Sequence, residues 1–413
     1  MKYCYLLCLF TFLFHFTNAQ TTFEQVLNAP NHHFQGLDIK QTFDEGFLVL
    51  SVVSNTNDLF YTTANVIKLD KSGKIEWSKN YDFATNFQRN GNLTLLEKDS
   101  FIFLVGDANS SFNKIITKAT PNGAVVWSKN IGNIEFEPGF NKIPSLTVNK
   151  HKNTFGIFEM QGERLNAEIY GAKINSAGDL KWAKTYQPSE FGTFELFNRI
   201  KGQSVQDGGY VLAGNITDIT THPDAFLMRL DSVGEVIWAK SYGNTALHFR
   251  ETGLSVLQTP DMGFIVAGHS ARGDIPPFKE DGFLMKTDSL GEVLWVNFID
   301  IDSSISTACI LSNITLTENE TVLVSGISLN AQQGVQSILL EFDPEGYLLN
   351  NHRYPQRLKF SNASGLDITT DGGTILLNAT RDNFGNRALY LVKADEIGKS
   401  NCSDTYPIKV NRF

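Results

Sequence analysis

One thirteen-residue segment recurs along almost the whole chain and limits the folds that the chain can adopt. Its clearest copy is residues 230–242, Leu-Asp-Ser-Val-Gly-Glu-Val-Ile-Trp-Ala-Lys-Ser-Tyr. Each copy has one glycine at the same place, and these glycines are Gly73, Gly123, Gly178, Gly234, Gly291, Gly346 and Gly398. Their spacing of 50 to 57 residues is typical of solenoids, propellers and arrays. The sequence therefore predicts seven copies of one structural unit.

All five tryptophans of the chain lie four residues after a repeat glycine. They are Trp77, Trp127, Trp182, Trp238 and Trp295. A position that is filled in the same way five times indicates a structural requirement met five times, whereas a binding platform is usually made once. We expect these side chains to pack between units; the alternative is a surface on which sugars stack.

A second block precedes each copy and completes the unit. Its full form, Asp-Gly-Gly-Tyr-Val-Leu-Ala-Gly at 207–214, recurs at 261–268, 44–50 and 371–377, with weaker versions from Asp99, Asn153 and Asn319. Two further short apolar segments flank this block, so each unit is predicted to contain four strands, A to D, separated by turns. The A–B turn carries Asp-Gly-Gly, and the C–D turn carries Asp-x-x-Gly, in which glycine supplies a left-handed residue.

Strand B is apolar at nearly every position, which indicates that both of its faces are buried. A propeller provides this environment because each sheet lies between two others, and no long amphipathic helical pattern supports a βαβ fold. We therefore predict an all-β fold, a seven-bladed β-propeller of four-stranded antiparallel blades. The last repeat loses its tryptophan strand after Gly398, while residues 22–27 resemble a strand D. We expect residues 22–27 to complete the seventh blade; the rival segment is 406–410.

The N-terminus has the features of a secretory signal. Lys2 is followed by an apolar run over residues 3–16 and by a small residue, Ala19, after which we place cleavage. The predicted organisation is a signal peptide at 1–19 and a single propeller domain at 20–413. The apolar run is too short for a typical membrane span, and the alternative to a cleaved signal is an uncleaved anchor. Leu7 before Cys8 does not fit a lipoprotein signal. We expect an extracellular, cell-surface or periplasmic protein, without membrane insertion after cleavage.

The net charge argues against one class of partner, and the cysteine content raises the question of a disulfide. The formal net charge is −9, which argues against a nucleic-acid-binding surface because such surfaces are basic. Two cysteines, Cys309 and Cys402, remain after signal cleavage. Whether they form a disulfide is left open by the sequence.

The motif Asp-Gly-Gly … Leu-Asp-x-x-Gly-x-x-x-Trp-x-Lys-x-Tyr resembles repeats of secreted bacterial β-propeller proteins, of the kind found in type IX-secreted surface proteins. The resemblance covers about residues 34–402. It implies a propeller and says little about activity. The Gly-x-x-x-Trp part is more weakly similar to quinoprotein-like propellers and to outer-membrane assembly lipoproteins. The sialidase Asp-box does not fit, because its spacing between Asp, Gly and Trp is different.

Motifs for chemistry are scarce. There is no His-x-His or His-Glu-x-x-His metal motif, so no metal and no cofactor are predicted. Spacing along the chain does not test for a metal site assembled from different blades. The segment 268–273 misses the Gly-x-Ser-x-Gly pattern by one residue. Residues 272–274 spell Arg-Gly-Asp, a cell-adhesion tripeptide, in a long B–C loop. The candidate binding residues are Arg89, Arg199, His248, Arg250, His269, Arg272 and Asp274. The alternative is that they are solvated charges in loops.

Three classes of function follow from these observations. The preferred one is a non-catalytic binding or scaffold module for an unknown protein or glycan, because no catalytic constellation accompanies the repeat. The second is an enzyme, either a propeller acting on glycans or a quinoprotein-like oxidoreductase, which should carry unlike polar residues that break the repeat. The third is a structural component of a surface layer, which should bind itself.

Overall fold

A computed structural model describes residues 20–56, 58–82, 87–107, 114–130, 145–149, 154–161, 168–187, 194–218, 224–243, 249–272, 279–301, 308–330, 334–354, 363–406 and 408–412. The described chain consists of β-strands and one 3₁₀ turn, Glu97–Asp99. The first strands are β1 (Phe23–Leu27), β2 (His32–Gln41), β3 (Phe47–Asn55), β4 (Asp58–Leu69), β5 (Ile75–Tyr81), β6 (Phe87–Leu95), β7 (Phe101–Asp107), β8 (Lys114–Ala119) and β9 (Val125–Asn130). The middle strands are β10 (Ser145–Asn149), β11 (Thr154–Gln161), β12 (Glu168–Asn175), β13 (Leu180–Tyr186), β14 (Phe194–Ser204), β15 (Tyr210–Asp218), β16 (Asp224–Leu230) and β17 (Val236–Tyr242). The remaining strands are β18 (Phe249–Gln258), β19 (Phe264–Arg272), β20 (Lys279–Thr287), β21 (Val293–Asp300), β22 (Ala308–Leu316), β23 (Val322–Asn330), β24 (Gly334–Phe342), β25 (Leu348–Tyr354), β26 (Ala363–Ile368), β27 (Thr374–Arg381), β28 (Arg387–Ala394) and β29 (Lys409–Arg412).

The strands form antiparallel units of four, which we number as sheets along the chain. Sheets 1 to 4 are β2–β5, β6–β9, β10–β13 and β14–β17. Sheet 5 is β18–β21 and sheet 6 is β22–β25; one parallel bridge, between Glu280 and Ala308, joins them. Sheet 7 is β26–β28 with β1 as its fourth strand. Within each sheet we keep the letters A to D for the strands in that order.

The two ends of the chain meet in sheet 7. Strand β1 pairs with β28 in antiparallel register, from Phe23 opposite Lys393 to Leu27 opposite Leu389. The prediction that residues 22–27 supply an outer strand is therefore confirmed over β1. The rival segment, 406–410, runs elsewhere: the backbone NH of Tyr406 donates to Asn351 on β25, and β29 then pairs with β21 as a fifth strand of sheet 5.

Strand B is buried on both faces, as its continuous apolar sequence predicts. In β19, Ile265 and Ala267 belong to an apolar cluster shared with sheet 6. The alternate residues Phe264 and Val266 belong to a cluster shared with sheet 4. Each fully buried valine, isoleucine or phenylalanine contributes about 1.5–3 kcal/mol to folding, so the sheets stabilise one another through both faces.

The first strands of successive sheets contact one another, and β26 of sheet 7 contacts β2 of sheet 1. Hydrogen bonds from the backbone of one sheet to side chains of the next strengthen these contacts. The carboxylate of Asp38 accepts the NH of Leu93 at 2.9 Å, which joins sheets 1 and 2. The carboxylate of Asp367 accepts the NH of Gln41 at 2.9 Å, which joins sheets 7 and 1.

The C–D turns have the geometry that their sequence predicts. In sheet 4 the NH of Gly234 donates to the carbonyl of Asp231 at 3.2 Å, and Gly234 has a φ of 82°. The Asp231 carboxylate accepts the NH groups of Val233 and Glu235 at 2.9 and 2.8 Å. Aspartate at the first position and glycine at the fourth are thus explained by the turn itself.

The described residues contain no helix with the length and apolar character that a membrane span requires.

Candidate functional site

The repeated Trp-x-Lys-x-Tyr segment of strand D contacts the C–D turn of the next sheet. Trp182, Lys184 and Tyr186 lie on one face of β13, because side chains alternate along a strand. Trp182 Nε1 donates to the carbonyl of Ser232 at 3.3 Å, and the Tyr186 hydroxyl donates to the carbonyl of Gly234 at 2.8 Å. Lys184 pairs with Glu235 of the same turn at 2.6 Å in an exposed ion pair, which adds little stability. Corresponding bonds are made by Tyr81, Trp127, Lys129, Trp238, Lys240 and Tyr242.

A second repeated contact lies inside the sheets, and the sequence analysis missed it. Lys393, whose side chain is only 3% exposed, binds the Asp371 carboxylate at 3.0 Å and the carbonyl of Ala394 at 2.9 Å. Burial alone would raise the pKa of Asp371, but hydrogen bonds from Thr369 and Lys393 outweigh it and lower that pKa. The corresponding pairs are Asp44–Lys68, Asp207–Arg229 and Asp261–Lys286. The sequence feature that could have revealed these pairs is a basic residue near the end of strand C in each unit whose A–B block begins with aspartate.

These contacts account for the repeated polar residues near the A–B and C–D turns, so a site that distinguishes this chain should lie at the other end of the sheets. The predicted candidates Arg89, Arg199 and Arg250 lie there, in strands β6, β14 and β18. Arg89 and Arg199 fall where the register of strand A is irregular.

The structure brings three of the predicted positions together on sheet 5. Arg250 is opposite Ala271, Arg272 is opposite Phe249, and His269 is opposite Thr252 in the pairing of β18 with β19. Arg89 and Arg199 belong to sheets 2 and 4 instead. His248 and Asp274 lie outside the described residues.

Beside these positions lies a buried polar group that the sequence analysis did not single out. Glu251 accepts a hydrogen bond from the Ser270 hydroxyl at 3.3 Å, and Ser270 is opposite Asp281 on β20. Burial raises the pKa of Glu251 to about 7, and the charge of Asp224 acts in the same direction. The residues at the corresponding register of sheets 1 and 6 are Phe34 and Cys309. A carboxylate that breaks the repeat at a buried position was the signal that could have revealed it.

The two cysteines of the described chain are not paired. Cys309 is buried in the cluster between sheets 5 and 6, and Cys402 is exposed near the C-terminus. Burial raises the pKa of the Cys309 thiol far above its usual value. Among the described residues, no group of three or more His, Cys, Asp and Glu side chains is arranged to hold a metal ion.

The sequence matches no protein-family model and none of the curated proteins. Solved structures do match. A polysaccharide lyase of family PL25, an ulvan lyase, aligns with a TM-score of 0.55 at 7% identity, over 90% of this chain and 97% of the lyase. A catalytically inactive virginiamycin B lyase from Staphylococcus aureus aligns with a TM-score of 0.51 at 11% identity, over 90% of this chain and 99% of that one.

The β-propeller domain of the Trilobed protease from Pyrococcus furiosus aligns with a TM-score of 0.48 at 10% identity, over 87% of this chain and 95% of that domain. At such low identity the likeness to the two lyases gives the fold and not the activity. Both lyases are β-propellers, and the described sheets of this chain have the same architecture.

Proposed function

We propose that the protein is an exported, closed seven-bladed β-propeller that binds an extracellular protein or glycan without chemical turnover. The binding surface is the face formed by the B–C and D–A connections, which we call the loop face. Export rests on the signal at residues 1–19, and the resemblance to repeats of secreted bacterial surface proteins supports the same location.

Closure of the ring is supported at its inner and outer edges. At the inner edge, the hydrogen bond from Gln41 to Asp367 joins sheet 7 to sheet 1. At the outer edge, the carboxylate of Glu24 on β1 accepts hydrogen bonds from Tyr390, Ser400 and the NH of Cys402. The N-terminal strand is thereby fastened to the C-terminal part of the chain, as in propellers that close by sharing a blade between both ends.

The difference between the two ends of the sheets carries the proposal. The A–B connections that the strand bounds define are four or five residues long in every sheet, and so are the C–D connections of sheets 1 to 6. The B–C connections range from two residues in sheet 1 to six in sheets 2, 3 and 5, and the D–A connections from four to fourteen. Variable loops on a rigid scaffold are where binding residues are usually found. At the opposite end the repeated side chains already contact other groups of the protein. The units therefore differ from one another mainly at the loop face.

Arg89, Arg199, His248, Arg250, His269, Arg272 and Asp274 are the binding residues that we propose on this face. Those in the described strands lie near the ends of strands A and B that adjoin the loop face. Several cationic positions from different sheets favour an anionic or sugar ligand.

The test is a binding screen of the exported chain on a glycan array and on an array of extracellular proteins, with the variant R250A/R272A compared with K71A. Arg250 and Arg272 adjoin the loop face, whereas Lys71 is an exposed residue of a C–D turn. We expect R250A/R272A to weaken binding at least tenfold and K71A to leave it unchanged.

Three results would contradict the proposal. Turnover of any arrayed glycan would make the protein an enzyme. Self-association as the only interaction would favour a surface-layer component. Loss of binding in K71A but not in R250A/R272A would place the ligand at the opposite face.

A further inference from the structure

Three buried polar side chains form one row across sheet 5. Ser270 on β19 is the register partner of Glu251 on β18 and of Asp281 on β20. Val266 and Phe283 of the same strands belong to the apolar cluster between sheets 4 and 5. Ser270 lies four residues from Val266, and Asp281 lies two residues from Phe283. Since side chains an even number apart share a face of a strand, the row faces sheet 4.

Sheet 4 contributes a fourth polar side chain to this interface. Asn215 on β15 lies two residues after Ala213, which belongs to the same apolar cluster, so Asn215 faces sheet 5. The two strands approach closely here, because a Cβ placed on Gly253 would lie 3.0 Å from the carbonyl oxygen of Gly214. Asn215 comes directly after Gly214, and Glu251 comes two residues before Gly253. The side chains of Asn215 and Glu251 therefore lie at a similar height in the interface, next to the loop face.

These four side chains offer oxygen atoms but no positive charge. They are almost fully buried, with exposed fractions of 5% for Asn215, 7% for Glu251, 0% for Ser270 and 1% for Asp281. Glu251 Oε2 and Asn215 Oδ1 have no hydrogen-bond partner among the described residues. A buried acceptor without a partner costs about 1–3 kcal/mol, and more if it is charged. Two such atoms at one interface indicate a cationic partner.

We propose that Glu251, Asp281, Asn215 and Ser270 bind a calcium ion between sheets 4 and 5. Ca²⁺ takes six to eight oxygen ligands from carboxylates, amide carbonyls and water, and two carboxylates balance its charge. Mg²⁺ retains several waters in strict octahedral geometry, which does not suit an interface lined by apolar side chains. Zn²⁺ prefers nitrogen and sulfur ligands, and this group has none.

The proposal is tested on the exported chain after removal of metal with EGTA. In 1 mM CaCl₂ we expect Tm to rise by about 5 °C or more, since a ligand that binds only the folded state stabilises it by mass action. Isothermal titration with CaCl₂ should show about one equivalent bound, and equal concentrations of MgCl₂ should have less than a third of the effect on Tm.

The variants E251Q and N215A locate the ion. We expect E251Q to abolish the calcium-dependent rise in Tm and N215A to weaken calcium binding about tenfold. D38N is the matched control, because Asp38 is also buried but its carboxylate is already bound by Lys40 and two backbone NH groups; it should keep the full rise. The proposal is overturned if calcium and EGTA leave the wild-type Tm unchanged, or if the rise persists in both E251Q and N215A. None of these readouts depends on the ligand of the loop face.

Discussion

Phe23 lies over Gly73, and its ring atoms Cε2 and Cζ are 3.0 Å from the place that a Cβ of Gly73 would take. Phe23 is opposite Lys393 on β28, just as Trp77 is opposite Lys68 on β4. Trp77 covers Gly123 in the same way. The N-terminal strand thus reproduces the aromatic contact that the tryptophans make elsewhere, and it does so across the junction of the chain ends.

Removal of the Phe23 ring should therefore weaken this junction. We expect F23A to lower the free energy of unfolding by about 3 kcal/mol, as for other large-to-small changes of packed aromatic residues. F23W should retain stability, because the same register holds tryptophan in five other sheets. V26A, a change in the same strand at a side chain that is 47% exposed, should change it by less than about 0.5 kcal/mol. Urea unfolding of the four proteins measures this; equal losses in F23A and V26A would contradict it.

Because the indole of Trp182 packs against Gly234, substitution of this glycine should lower stability. Gly234 has a φ of 82°, and an added Cβ would lie 2.9 Å from Cη2 of Trp182. Gly385 has a φ of 84° but nothing within 4 Å of an added Cβ. We expect G385A to cost about 1 kcal/mol, the strain of a left-handed alanine, and G234A to cost about 3 kcal/mol because the indole must also move. Thermal unfolding compares them, and similar Tm values for both variants would show that the indole contact is unimportant.

The pairs between a buried lysine and a partly exposed aspartate should make the protein sensitive to acid. The pKa values of Asp44, Asp261 and Asp371 are lowered, because hydrogen bonds to lysine and threonine outweigh burial. Their stabilisation is complete above the unfolded pKa, near 3.8, and is lost as pH falls through the lower folded values. We expect the free energy of unfolding to fall steeply below about pH 4.

The variant D371N isolates one of these pairs. At neutral pH it should cost about 3 kcal/mol, since Lys393 then stays buried without a carboxylate, and its stability should fall less steeply with acid than that of the wild type. E45Q, in the exposed pair of Glu45 with Lys71, should change stability by less than about 0.5 kcal/mol. Urea midpoints from pH 2.5 to 7 provide the measurement. An unchanged acid slope in D371N would refute the assignment.

Cys309 and Cys402 should react differently with a thiol reagent. Cys402 is exposed, whereas Cys309 is 1% exposed and its pKa is raised by burial, which suppresses the reactive thiolate. In a chain that begins at residue 20, a disulfide-exchange reagent should label one thiol in the folded state and a second one only after unfolding. Absence of any free thiol after unfolding would instead show that the two cysteines are paired.

The amino-acid sequence determined the repeat, its four strands, the turn residues and the N-terminal strand β1. These features are local: alternation along a strand and the φ of a turn glycine depend on a few neighbouring residues. Thus the C–D turn of sheet 4 could be read from Asp231 and Gly234 alone. Even β1 was recognisable, because residues 22–27 resemble a missing strand D.

Only the tertiary structure decided which residues meet between and within sheets. Asp371 and Lys393 are 22 positions apart, and only the recurrence of a basic residue near the end of strand C hints at their contact. Asn215 and Glu251 belong to different sheets, and no local pattern links them. The burial of Glu251 depends on how closely sheets 4 and 5 pack, which is set by the summed contacts of their apolar faces. Packing of this kind is a property of the assembled sheets, and for this reason the proposed calcium site could not be predicted from spacing along the chain.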